Sequence, residues 1–167
     1  MKILKIWIFS FAGQQLFLKD YGSIKSVAAP DPAQDAMVAN MLNTGVVHSF
    51  LNFFNSILVK KYCDIMLFDD ILFTFDYMFD GSLKFITLLL TRIDKTVELE
   101  AQADILKNLA KRISYNFAET YRDVVDIMQV NLNIFKPFEE DCDRILHDIA
   151  DELQTKLKQQ KMRINGF

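Results

Sequence analysis

Few side chains in this sequence are suited to chemistry. Its histidines are His48 and His147, its cysteines Cys63 and Cys142. Asp143, His147 and Asp151 recur at intervals of four, which puts two carboxylates and an imidazole on one helix face, where they could bind a metal ion. A solvated, mutually paired charged face opposite Ile145 and Ile149 explains the same spacing, and is the reading adopted here. Asp69, Asp70, Asp76 and Asp80 form a second acidic set. Two of these stand in turn positions, where Asp is common because its carboxylate bonds the local backbone. No Gly-rich phosphate loop, nucleophile elbow or paired-histidine spacing is present. The expectation is therefore no catalytic residue, no metal and no cofactor. Two widely spaced cysteines make neither a zinc site nor a disulfide framework, and read as reduced, buried thiols. Tyr62, Tyr77 and the fifteen Phe read as core, because an aromatic ligand pocket needs convergent polar groups and none is found.

The elements that must position these residues are legible as alternating apolar runs and turns. Residues 2–11 carry Ile3, Leu4, Ile6, Trp7, Ile8 and Phe9 on both faces of a strand, Ala12-Gly13 marks a turn, and 15–21 return as a second strand. Further strands are expected at 63–68, 71–79 and 83–90, separated by Asp69-Asp70 and by Asp80-Gly81-Ser82. Asp80-Gly81 is a hairpin signal because Gly tolerates the positive φ of a tight reversal. The run from Leu83 to Leu90 leaves almost no polar position, so the sheet should be covered on both faces.

Three helical segments supply the covers. From Asp104 onward Leu106, Leu109, Ile113, Phe117, Tyr121, Val124 and Met128 recur every three or four residues. A last helix starting near Pro137 repeats the pattern with Phe138, Cys142, Ile145, Ile149, Leu153 and Leu157, its acids first and its bases last, as the helix dipole favours. The segment 32–60 is a third helix. Its apolar residues from Val46 to Leu58, among them Phe50, Phe53, Phe54 and Ile57, span an arc of roughly 160° at ~100° per residue, wider than the ~100° needed to lie on a sheet.

At 167 residues, 51% of them hydrophobic, with no repeat, the chain suits one domain, with a core over about 1–157 and a short basic tail at 158–167. The net charge of −3 is spread evenly and no basic stripe exists, so nucleic acid is not an expected partner. No apolar run reaches the ~18 residues of a membrane span, and Lys5 interrupts the N-terminal run too early for a secretory signal. A cytoplasmic protein is expected, peripheral to a membrane if the basic tail touches one.

The order of strand, strand, helix, three strands, helix, helix resembles the longin domain, the small regulatory fold of trafficking SNAREs, adaptor small subunits and sedlin-type tethering subunits. The resemblance covers residues 1–153. It rests on Ile3-Leu4-Lys5-Ile6-Trp7-Ile8-Phe9-Ser10 with Gly13 and Leu16-Phe17, on Gly81-Ser82-Leu83-Lys84-Phe85-Ile86, and on Phe117-Ala118-Glu119-Thr120-Tyr121 followed by Phe135-Lys136-Pro137-Phe138. All are packing and turn features. The related roadblock fold commonly opens with a helix, whereas this chain opens with a strand.

The resemblance implies an α+β, three-layer α/β/α fold: a five-stranded antiparallel sheet in the order 2-1-5-4-3, with one helix on one face and two on the other. It also implies a non-enzymatic, stand-alone interaction module. Its partner would be a small GTPase or another longin or roadblock subunit in a trafficking or GTPase-regulating assembly, and a homodimer is compatible with it. The recurrent docking site of such domains is the groove between the first helix and the third strand, here Phe50, Phe53, Phe54 and Ile57 with Cys63, Ile65 and Leu67. The wide apolar arc of segment 32–60 supports that site from the residues themselves. A small-molecule sensor and a roadblock-like dimerisation module are the alternative readings.

Overall fold

The computed structural model describes residues 1–11, 14–21, 63–79, 84–124 and 131–164, with side chains to residue 153. Five strands, β1 (Lys2–Ser10), β2 (Gln15–Asp20), β3 (Ile65–Phe68), β4 (Ile71–Met78) and β5 (Phe85–Arg92), form one antiparallel sheet in the order β2-β1-β5-β4-β3. Helix α1 (Leu99–Thr120), a 3-10 turn (Leu132–Phe135) and helix α2 (Phe138–Ile164) follow. This is the expected α+β class and strand order, consistent with a longin-like fold. The two most apolar strands, β1 and β5, pair inside the sheet, flanked by β2 and β4, where both faces of a strand are covered.

The alternation that assigns side chains to faces slips twice. Between Ile3 and Lys5, β1 advances two residues while β5 advances one, from Thr91 to Leu90. Leu4 is the extra residue, and it packs with Trp7 and Phe9 rather than with Ile6 and Ile8. Between Phe17 and Gln15, β2 likewise takes two steps against one on β1, so Leu16 and Phe17 share a face. Bulges of this kind bend a strand and re-aim its side chains.

Helices α1 and α2 both cover the face that presents Ile6, Ile8, Leu72, Phe85 and Leu89. On α1, Leu106, Leu109, Ala110, Ile113 and Phe117 are each 0–1% exposed, as the stripe predicts. The ends of this helix differ from the expected 104–128. Its first turn is anchored through Gln102, which is buried, accepts a hydrogen bond from Asp94 N (2.8 Å) and donates to Asp94 O and Val97 O (2.9 Å each). At the other end the helix stops at Thr120, yet the Tyr121 ring still lies 4.8 Å from Phe117 and 4.9 Å from Phe135. The apolar register therefore outlives the helix, carried on by a turn. Helix α2 starts at Phe138, next to the expected Pro137, and its backbone continues to Ile164, so most of the expected tail at 158–167 is helical.

The second face of the sheet carries Leu4, Trp7, Phe9, Phe73, Phe75 and Leu88, each 8% exposed or less. No helix among the described residues packs on it. The helix read over 32–60, and with it the third layer, lies outside the described residues.

Candidate functional site

Strand β3 is the shortest of the five, a four-residue edge that, among the described residues, pairs with β4 alone. Phe75 N donates to Asp64 O at 2.8 Å, and the ladder pairs Ile65 with Thr74, Met66 with Phe73, Leu67 with Leu72 and Phe68 with Ile71. In an antiparallel pair the bonded positions alternate, so Met66 and Phe68 turn their backbone groups toward β4 while Ile65 and Leu67 turn theirs outward. Ile65 O accepts from Cys63 Sγ at 3.2 Å, and Tyr77 OH donates to Cys63 O at 3.0 Å. Burial pushes the Cys63 thiol above its ordinary pKa, so it stays a protonated donor, and a weak one. One outward acceptor of the edge is thus occupied by a bond that an incoming backbone N–H can replace.

The side chains of β3 are apolar, and the last two are exposed. Leu67 is 44% and Phe68 38% exposed. The strand ends in a tight turn at Asp69, whose φ of 55° lies in the left-handed region that Asp tolerates better than most residues. Asp70 anchors the turn: its carboxylate lies 3.1 Å from Arg92 Nε, and its carbonyl accepts Ile93 N at 2.9 Å. At this same end of the sheet stand Met1, whose ammonium lies 3.4 Å from Asp94 Oδ2, and the exposed Val97 and Leu99, the latter the first residue of α1. Of the eight exposed large apolar residues among those described, Leu67 and Phe68 lie on the edge strand, and Met1, Val97 and Leu99 lie beyond the ends of β1 and β5.

Of the residues expected at the docking groove, the structure brings Cys63, Ile65 and Leu67 to this edge, the first two half-buried and the third exposed. Phe50, Phe53, Phe54 and Ile57 lie outside the described residues. Sequence reasoning missed Phe68, whose signal was its position directly before the Asp69-Asp70 turn, where a strand residue has already left its neighbours' cover.

The enzyme-like cluster does not assemble. His147 Nδ1 and Asp151 Oδ2 lie 3.3 Å apart with both side chains largely in solvent. Asp143 turns elsewhere: its carboxylate takes Lys19 Nζ at 2.7 Å and the Tyr21 hydroxyl at 3.1 Å, and the Lys19 bond leads the causes that lower its pKa. Lys19 Nζ also donates to Glu139 O at 2.6 Å. Asp143 is therefore a clasp between β2 and α2, while its side chain stays largely in solvent. Cys142 beside it is fully buried, and burial pushes its thiol up to about 12, which leaves it unreactive near neutral pH. In the second acidic set Asp70 is committed to Arg92, and Asp80 lies outside the described residues. Among the described residues no three His, Cys, Asp or Glu side chains gather as a metal site, and no helix is long and apolar enough to cross a membrane.

No family model matches this sequence, and no curated protein matches it. Among solved structures, a chain from the structure of the mammalian SRP receptor is similar, with 15% sequence identity and a TM-score of 0.46, over 90% of this chain and 97% of that chain.

Proposed function

We propose that this protein is a non-enzymatic interaction module that captures a protein partner at the outer edge of β3, as a scaffold subunit in a trafficking or GTPase-regulating assembly. The observation that carries the reading is an edge strand whose Ile65 and Leu67 backbones face outward beside exposed Leu67 and Phe68. Unpaired edge groups accept an added strand, which supplies main-chain hydrogen bonds, while alternate side chains supply specificity. The class of partner, a small GTPase or another longin or roadblock subunit, comes from the resemblance of the element order to longin domains. The absence of an enzymatic role is part of the same proposal. It is supported by the dispersal of Asp143, His147 and Asp151 and by the high pKa of the buried Cys142 thiol.

The test is titration calorimetry of the full chain against the small GTPases, in both nucleotide states, and the longin and roadblock proteins of its source organism. One of them should bind, and Leu67→Lys should abolish that binding while His147→Ala leaves it unchanged. Binding that survives Leu67→Lys moves the docking surface away from β3. Turnover of a substrate dependent on Asp143 or His147 ends the non-enzymatic reading.

A further inference from the structure

Helix α2 changes character along its length. Its inward line starts with Phe138 and Cys142, both fully buried, continues through Ile145 at 5% and Ile149 at 8% exposed, and reaches Leu153 half-buried. The helix thus lifts off the core as it proceeds, while its backbone runs on to Ile164. Charge changes with it. Between Phe138 and Leu153 seven acids stand against one base, Arg144, whereas 154–164 carry Lys156, Lys158, Lys161 and Arg163 and no acid.

The helical register shows why the far end does not repeat the packing of the near end. An α-helix returns to the same line after about five turns, that is ~18 residues. Phe138, Cys142 and Ile145 recur in this way as Lys156, Gln160 and Arg163. The line that is core in the first half is therefore basic in the second, and Lys and Arg are almost never fully buried without a partner. Measured from Leu157 at ~100° per residue, Leu153 and Ile164 lie within about 40°. On the same measure Lys161 and Lys158 lie at about 40° and 100° on one flank, and Lys156 and Arg163 at about 100° and 120° on the other. What reads in the sequence as a basic tail is thus about 16 Å of helix with a narrow apolar stripe between two basic flanks.

We infer that the C-terminal three turns of α2 lie on an anionic lipid surface, with the apolar stripe toward the acyl chains and the bases at the headgroups. Bases on both flanks suit a plane of headgroups, because long Lys and Arg stems lie beside the stripe while their charges stay at the surface. Four bases on one amphipathic helix are the pattern that phosphatidylserine headgroups attract, with a gain of about fivefold in affinity for each base. Three apolar side chains hold little by themselves, so the attachment is chiefly electrostatic and weakens as salt rises. It is independent of partner capture at β3.

Sedimentation of the full chain with vesicles of phosphatidylcholine, with and without a third of phosphatidylserine, tests this. The chain should sediment with the anionic vesicles at low salt and stay in solution with the neutral ones. Lys158→Gln with Lys161→Gln should weaken vesicle binding by about tenfold or more and leave the urea unfolding midpoint in place. Leu157→Gln should also weaken binding without moving the midpoint. A large fall in its midpoint would show that α2 stays on the core to its end, and would overturn the inference. Equal binding to both kinds of vesicle, sedimentation with neither, or binding indifferent to the lysine substitutions would do the same. Capture of soluble poly-glutamate as tightly as of the anionic vesicles would assign the basic flanks to an acidic protein and overturn the lipid surface as their target.

Discussion

Strands β2 and β3 are the two edges of one sheet, and the chain treats them differently. At β2 the edge is dressed by parts of the chain more than a hundred residues away. Phe17 meets Phe138 edge-on at 5.4 Å, Lys19 reaches both Asp143 and the Glu139 carbonyl, Tyr21 donates to Asp143, and the 3-10 turn of 132–135 packs beside the strand. At β3 nothing comparable occurs among the described residues, and Leu67 and Phe68 stay in solvent. Open edges invite unwanted pairing, and proteins guard them by covering, charging or shortening them. Here one edge is covered. The other is shortened to four residues.

The largest test breaks the covered edge. Phe138 is fully buried and packs edge-on against both Phe17 and Phe117, the latter at 5.1 Å. Phe138→Ala should cost about 3–5 kcal/mol of stability, read from the shift in urea unfolding midpoint, because it leaves a cavity where α2 meets β2. Next comes the polar part of the same cover. Lys19→Met keeps most of the apolar stem but removes the ammonium that serves Asp143 and Glu139. With Asp143 largely exposed, solvent screening limits the loss to about 1 kcal/mol.

The clasp also predicts a pH dependence. The Asp143 carboxyl is held below its ordinary value by Lys19 and Tyr21, so its contribution is present above the unfolded carboxylate value of about 3.9 and is lost as pH falls through its lower folded value. Stability of the parent chain should fall more steeply than that of Asp143→Asn as pH drops below about 4, and parallel curves would mean that the clasp does not form in solution. The smallest effect belongs to the open edge. Leu67→Lys should change stability by no more than about 0.5 kcal/mol, as an exposed position does, while removing partner binding. A large destabilisation would show that β3 is covered after all and erase the contrast between the edges.

Much of this arrangement is legible in single residues. The run of Leu, Ile and Phe in 3–9 and 85–90 requires strands covered on both faces, which places them centrally and adjacent. The stripe from Leu106 to Phe117 specifies which side of α1 meets the sheet. The edge position of Ile65 and Leu67 followed from the resemblance of element order, and the strand order bears it out. The bulges at Leu4 and Leu16 were not legible, because an apolar residue fits either face and only the register of the neighbouring strand decides which it takes. Nor was the ending of α1 at Thr120, since Tyr121 keeps its aromatic contacts through a turn and periodicity reports contact rather than backbone conformation.

Asp143 is the clearest case of a residue whose part depends on what is brought to it. On its own helix it belongs with His147 and Asp151, four and eight residues away, and that local spacing is all a linear pattern can register. Tertiary packing brings Lys19 and Tyr21 to it from across the sheet, and a cation held within hydrogen-bond reach outweighs a solvated neighbour on the same helix. Periodicity and turn residues thus determined the elements, their order and their buried faces, because these depend on neighbours close in sequence. Which edge was covered and which left open depended on where distant side chains meet, and that was decided only when the chain folded.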